Sequence, residues 1–320
     1  MIKQFPILDL HCDTASEMLD GRSLYQNNGM LSIKKMQTGA VFCQFFAIFI
    51  RMCDNKTPQE GYEEFIKIYD NLMKELTLNR EYITLVHDLK EISALRGEGK
   101  IAAVLTLEEG AIIDSKPERL DELYKMGVRL ITLLWNYENC LGYPNSTDPE
   151  IMKKGLKPFG KEVVERMEEL GMVVDISHLS DGGFWDVVKI SRKPFIASHS
   201  NARSLHHETR NLTDDMLKAL ANAGGITGIN FYHKFLGADK TGSIEQMLSH
   251  IKHIYKVAGI DTIAMGSDFD GFDEPCALTD CSKFQLLTDA LGGAGFSDEQ
   301  IEKSCWKNAM RVIKQVTGNN

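Results

Sequence analysis

The chain has 320 residues, 43% of them hydrophobic and 25% charged, which is the make-up of a globular protein with a sizeable core and excludes a disordered chain. Its formal net charge is −9 and no block of Lys or Arg stands out, which excludes a sequence-independent grip on nucleic-acid phosphates. The most apolar stretch, 40–50, is far shorter than the roughly 20 residues of a membrane-spanning helix, and the opening MIKQFPILDLHCDT lacks the long apolar run of a secretory signal, so a cytoplasmic protein with no membrane partner is expected.

Short apolar runs alternate with amphipathic stretches along the whole chain, the rhythm of a parallel sheet covered by helices. In order, the runs at 7–11, 41–50, 101–107, 129–134, 172–176, 194–197, 226–230 and 262–266 predict eight strands. Several are β-branched or apolar at successive positions, as strands buried on both faces are. Between them, Tyr62, Phe65, Tyr69, Leu72 and Leu76 recur at helical spacing. Pro117 opens a helix carrying Leu120, Leu123 and Tyr124 before Gly127, and Val163, Val164, Met167 and Leu170 form a stripe that stops at Gly171. Thr213 is placed to cap a helix ending at Gly224, and Ser297 with Gln300 makes a capping box. These stripes read as core packing. The alternation predicts an α/β fold of the (β/α)8 (TIM) barrel type, and with no repeat, low-complexity tract or linker to divide it, 1–320 reads as a single domain. The segment 136–157, rich in turn formers, is longer than usual for a strand-to-helix loop and predicts a lid or substrate wall.

Seven cysteines (Cys12, Cys43, Cys53, Cys140, Cys276, Cys281 and Cys305) are an odd number with no CxxC pair, and read as reduced, mostly buried thiols. Cys12 stands between His11 and Asp13, but strand alternation turns it the opposite way.

Nearly every notable His, Asp or Glu falls at the C-terminal end of a predicted strand: His11 and Asp13, then Glu108, His178, His199 and Asp268. In a β/α barrel those ends converge on the face where chemistry is done. His11 and Asp13, one residue apart, face the same way on a strand and can hold one cation. Glu108 closes an apolar run where an unpaired carboxylate is costly, although Glu109 beside it competes for the same role. VVDISHLS offers Asp175 and His178, PFIASHSNA offers His199, and GSDFDG offers Asp268 and Asp270. Each also has a plain reading, as a surface pair, a helix cap, a core histidine or a turn; their arrival on one rim favours a site. The donor types suit Zn2+, with Mn2+ or Co2+ as substitutes. His11, Asp13, Glu108, His178 and His199 are too many ligands for one zinc with an open position, whereas a pair of ions sharing a carboxylate fits. Such a pair, about 3.5 to 4 Å apart, holds a hydroxide and polarises a carbonyl, which points to amide hydrolysis.

At these residues the sequence resembles the membrane (renal) dipeptidase family, the M19 metallopeptidases of the amidohydrolase superfamily. The pieces LDLHCDT, LTLEEG, TLLWN, LKPFGKEVVERMEELGMVVDISHLS, ASHSNARSLHHETRN, INFY, GSDFDG and NAMRV follow the family's order over nearly the whole chain. The resemblance implies a dipeptidase with two Zn2+ per chain, a small dipeptide as its partner, and tolerance of a D-residue at the C-terminal position. It implies that His11 and Asp13 bind one zinc, that His178 and His199 bind the other, and that Glu108 bridges, since the family's bridging Glu follows the last apolar residue of its strand. It gives Asp268 the part of proton shuttle from attacking water to leaving amine. Arg210 then receives the dipeptide's terminal carboxylate, a role that suits a planar fork of donors. Better-known members carry a substrate-contacting His at the end of strand four; here Trp135 stands there and is expected to wall the substrate pocket without supplying imidazole chemistry. A homodimer is the expected assembly. The rival readings are a hydrolase of another small amide, lactone or N-acyl amino acid, and a metal-binding barrel without turnover.

Overall fold

Strand-forming runs at the predicted places build a closed ring in the computed structural model, which describes residues 3–53, 56–239, 241–274 and 276–318. The strands are β1 (Ile7–Cys12), β2 (Val41–Phe49), β3 (Ile83–Leu85), β4 (Ile101–Glu108), β5 (Val128–Thr132), β6 (Val173–Asp175), β7 (Ile196–Ala197), β8 (Ile226–Ile229) and β9 (Ile263–Met265). Every pairing is parallel. The ring runs β1, β2, β4, β5, β6, β7, β8, β9 and back to β1, the (β/α)8 barrel that the alternation predicts.

β3 is the strand the sequence reading missed. It pairs with Ile101 to Ala103 of β4, ahead of the point where β5 joins at Leu105. Three residues with only Ile83 buried carry too little periodicity to stand out. Elsewhere the strand limits shift by up to two residues, as at β7, where pairing begins at Ile196 rather than 194.

Every strand of the ring gives at least one buried side chain, among them Leu8, Phe45, Val104, Leu130, Val173, Ile196, Ile226 and Ala264, to a single interior cluster. The helix Asn308–Thr317 adds Val312, Ile313 and Val316 to it. Asn308 Nδ2 donates to the Ile260 and Ile263 carbonyls, and Arg311 Nη1 to that of Gly224, so this helix closes the end where the strands begin. The opposite rim is left open for the polar strand ends.

Local signals hold the outer helices in place. Pro117 opens Pro117–Lys125, Thr213 caps Asp214–Asn222, and Ser297 with Gln300 forms the capping box of Asp298–Glu302. Phe65, Leu72 and Leu76 of Pro58–Leu78 are buried, with Tyr62 and Tyr69 packed beside them. All seven cysteines are free; Cys12 is turned from the rim, its thiol toward the Phe45 carbonyl at 3.4 Å.

Candidate active site

Backbone geometry first brings the strand ends together. The Asp13 amide donates to the Phe269 carbonyl at 2.9 Å and the Asp268 amide to the His11 carbonyl at 3.2 Å, which stitches the ends of β1 and β9. His178, Asp268 and Asp270 have positive φ, 67°, 64° and 63°. His and Asp tolerate this left-handed turn better than most residues, and here it directs side chains that a continuing strand would have aimed elsewhere.

The result is one buried cluster. His11 Nε2 lies 3.4 Å from Glu108 Oε2, 3.6 Å from Asp13 Oδ1 and 3.7 Å from Asp268 Oδ1. Across the rim, Glu108 Oε1 lies 3.3 Å from His178 Nε2 and 3.7 Å from His199 Nε2. The structure therefore gathers His11, Asp13, Glu108, His178, His199 and Asp268 at one place. Of the competing pair, Glu108 faces the cluster and Glu109 does not. Glu109 Oε2 accepts from the Trp135 amide at 2.8 Å and from Asn139 Nδ2 at 2.9 Å, and burial raises its carboxyl to about 8.

Several features of this cluster fit a bound cation. Both ring nitrogens of His11, Asp13 Oδ1 and Glu108 Oε1 are buried polar atoms with no hydrogen-bond partner among the described residues. Nε2 of His178 and Nε2 of His199 face each other at 3.1 Å. Two nitrogens about 2.0 Å from one tetrahedral ion would stand about 3.3 Å apart, close to what is seen. Ligand atoms of His11, Glu108 and His199 fall within 4.8 Å of one another, as do those of His11, Asp13 and Asp268.

The charge distribution agrees. Burial opposes protonation of His11, but Glu108 and Asp13 together outweigh it and hold that imidazole well above its ordinary range, so the pocket draws positive charge. His178 and His199 are pushed well down, chiefly by burial and further by Arg210 and His11, which keeps them neutral and able to ligate. Burial lifts Asp268 to about 7, with Asp13 and Glu108 adding to the rise and His11 opposing it.

Asp13, Glu108, His178 and Asp268 of the cluster line a cleft of about 400 Å³, within the range of small-molecule sites. Phe49 and Trp135 stand on one side, with ring centroids 5.0 Å apart, and Tyr232 and Phe272, stacked at 5.2 Å, on the other. Glu17, Asp270, Asp273 and Glu274 add acidic groups to the lining. Trp135 thus lies on the wall, 6.2 Å from the His178 ring. Of the long segment 136–157, only Asn136 lines the cleft. The rest folds back against the His178 turn, with the Asn145 amide donating to the His178 carbonyl at 2.7 Å.

Arg210 lies behind this lining. Nη1 donates to Ser200 Oγ at 2.7 Å and Nη2 to the His199 carbonyl at 2.9 Å, while the buried Nε has no partner among the described residues. Its guanidinium sits 5.6 Å from the centre of the Phe235 ring, which does line the cleft.

Sequence reading missed two supporting amides. Asn136 Oδ1 lies 3.0 Å from His178 Nδ1, and Asn230 Nδ2 donates to Asp268 Oδ2 at 2.9 Å. Their signal was position alone, Asn136 beside Trp135 in TLLWN and Asn230 at the end of the run 226–230 in INFY. Asp175 and Asp270, weighed as candidates from sequence, serve as anchors: Asp270 accepts from Thr14 Oγ1 and the Met30 amide, each at 2.6 Å.

The profile of the family described as membrane dipeptidase (peptidase family M19) matches residues 1–320. A Schizosaccharomyces pombe protein described as an uncharacterized dipeptidase is 34% identical over 308 residues, 90% of this chain and 73% of the relative. Among solved structures, a dipeptidase AC of family M19 superposes with a TM-score of 0.91 at 23% identity, over 99% of this chain and 100% of the other. A metallo peptidase from Rhodobacter sphaeroides, liganded with a phosphinate mimic of the dipeptide L-Ala-D-Ala, gives a TM-score of 0.90 at 23% identity, over 98% and 100%. These two show the same fold. Among the described residues no helix is long and apolar enough to cross a membrane. With the profile spanning the chain and the yeast relative matching most of it, the protein belongs to the membrane dipeptidase family, peptidase family M19, and is a metal-dependent dipeptidase on a (β/α)8 barrel.

Proposed function

We propose that the protein hydrolyses the peptide bond of Xaa-Yaa dipeptides using two Zn2+ ions, one held by His11 and Asp13, the other by His178 and His199, with Glu108 shared. The observation that carries this reading is the pair of facing histidine nitrogens, 3.1 Å apart and buried beside unpartnered carboxylate oxygens. With each Nδ1 hydrogen directed to an oxygen, Asn136 Oδ1 for His178 and Ser198 Oγ for His199, both Nε2 atoms carry lone pairs, which repel at that distance unless a cation lies between them. When bound, such ions activate water and polarise the scissile carbonyl.

The chain's own groups do the rest. Asp268 presents Oδ1 toward His11, while Oδ2 is steadied by Asn230. A carboxyl lifted to about 7 can take a proton from water and release it to the leaving amine near neutrality. Arg210 is the cation for the substrate's terminal carboxylate, its Nε still unpartnered. Trp135 and Phe49 provide an apolar wall for a side chain. Accommodation of a D-residue at the C-terminal position follows the ligand of the Rhodobacter sphaeroides relative.

A panel of L,L and L,D dipeptides with N-acylated amino acids as controls, assayed on zinc-replete protein, tests the reading. Hydrolysis of dipeptides, including L,D members, is expected. Turnover of the N-acyl compounds with none of any dipeptide would overturn it.

A further inference from the structure

Two buried aspartates clamp a serine of a neighbouring strand end in the same manner. Asp9 Oδ1 accepts from the Ser267 amide at 2.8 Å and Oδ2 from Ser267 Oγ at 2.6 Å. Asp175 Oδ1 accepts from the Ser198 amide at 2.8 Å and Oδ2 from Ser198 Oγ at 2.5 Å. Each clamped serine directly precedes a residue of the site, Asp268 in the first case and His199 in the second. The clamps differ in their further contacts: Asp9 Oδ2 also accepts from Gln44 Nε2 at 3.0 Å, and Ser198 Oγ lies 3.3 Å from Ser177 Oγ. Ser198 Oγ also lies 2.7 Å from Nδ1 of His199, whereas among the described residues Ser267 Oγ meets only main chain besides Asp9, at the His11 carbonyl and the Phe269 amide.

The direction of the hydrogens follows from which groups can donate. Asp175 receives the Ser177 amide at 3.0 Å and the Ser198 amide on Oδ1, and the Thr132 and Ser198 hydroxyls on Oδ2, so it acts purely as an acceptor. The single hydroxyl hydrogen of Ser198 is thereby committed to Asp175. Toward His199 the serine oxygen can then only accept, which requires a hydrogen on Nδ1 and leaves the lone pair on Nε2. Asp175, Ser198 and His199 are at most 1% exposed, so bulk water does not compete for these bonds.

We propose that Asp175 is a positioning residue that acts through Ser198 to hold His199 in the Nδ1–H tautomer, presenting Nε2 to the metal. This rests on the reading of His199 as a metal ligand. Asp9 and Ser267 supply the same clamp without an imidazole, and so an internal control.

The decisive pair of variants is Asp175→Asn and Asp9→Asn. In each, the amide oxygen can keep the backbone bonds while the NH2 group turns donor toward the serine. At Ser198 the displaced hydroxyl hydrogen then turns to Nδ1 of His199, at 2.7 Å a nearer acceptor than Ser177 Oγ at 3.3 Å, which forces the ring hydrogen onto Nε2 and blocks ligation. At Ser267 no ring is affected. Zinc-loaded parent and variants are titrated with a chelator, and retained metal is read by elemental analysis alongside Tm. Asp175→Asn is expected to hold zinc about 10- to 100-fold more weakly than Asp9→Asn at comparable Tm, in line with outer-shell partners of metal-binding histidines. Ser198→Ala should follow Asp175→Asn, and serves in its place if Asp175→Asn does not fold. Histidine 15N shifts of the metal-free parent should show His199 protonated at Nδ1. Equal zinc retention by the two Asn variants, undiminished retention in Ser198→Ala, or an Nε2–H tautomer in the parent would overturn the proposal. Failure of the parent itself to bind zinc would instead overturn the reading of the site.

Discussion

Oε1 of Glu108 lies 3.3 Å from Nε2 of His178, while the other oxygen of the same carboxylate turns to Nε2 of His11 at 3.4 Å. One side chain therefore reaches both histidine groups, and both proposed ions should depend on it. Zinc-replete protein is expected to carry about two ions per chain. Glu108→Ala should retain one or fewer and lose at least about 100-fold in kcat/KM. Elemental analysis beside a dipeptide assay checks both, and a parent stoichiometry of one would retire the paired site.

Asp268→Asn should keep the fold and most of the metal, because the amide retains an oxygen where Asn230 now donates. It cannot carry the proton. A fall in kcat of roughly 100- to 10,000-fold is expected. If kcat stays within a few-fold of the parent at equal metal content, another group performs the transfer.

Arg210→Met separates substrate binding from structure. Both Nη atoms are bound to the protein, so some loss of stability is expected whatever its role. A hydrogen bond to a charged group contributes about 1.5–3 kcal/mol, so free dipeptides should lose about 10- to 100-fold more kcat/KM than their C-terminal amides. Equal losses on both substrate classes would make the residue structural.

Trp135→Ala opens the wall shared with Phe49. Preference among dipeptides that differ in side-chain size should shift, seen by comparing kcat/KM for at least three of them alongside Tm. An unchanged ranking in a less stable variant would mean the indole only packs.

His250 gives the fold an acid-sensitive point away from the cleft. Its Nδ1 accepts from the Ala202 amide at 3.1 Å and its Nε2 lies 3.0 Å from the Leu236 carbonyl, so the neutral ring ties the segment after His199 to a neighbouring helix. Burial lowers its pKa from 6.5 to about 4, against a smaller opposing effect of the Leu236 carbonyl. Because the folded value is the lower one, the unfolded chain binds the proton more readily. The stabilisation is full above about pH 6.5 and is lost as pH falls toward 4. At pH 5 the loss is roughly 2 kcal/mol. Urea midpoints at pH 7 and pH 5 should differ less in His250→Gln than in the parent; an equal difference would show that other groups govern acid lability.

What the sequence by itself determined was local in origin. Buried strands show as apolar runs, helix starts show as Pro117, Thr213 and Ser297, and the chemistry stands where those runs end, at His11, Glu108, His178, His199 and Asp268. Periodicity and capping act over a few residues, so they can be read without knowing what lies across the molecule. The choice between Glu108 and Glu109 is different in kind. Local pattern leaves both acids open and the family resemblance favours Glu108, but it is the closed ring that brings one to His11 and His178 while the other pins the Trp135 amide. Asp175 likewise becomes a clamp because β6 and β7 lie side by side, placing Ser198, 23 residues away, against its carboxylate. β3 escaped notice because pairing with β4, rather than any pattern of its own, makes it a strand. Long-range register and burial decide such roles, since whether a buried carboxylate awaits a cation or is satisfied by hydrogen bonds depends on neighbours that the chain supplies only once folded.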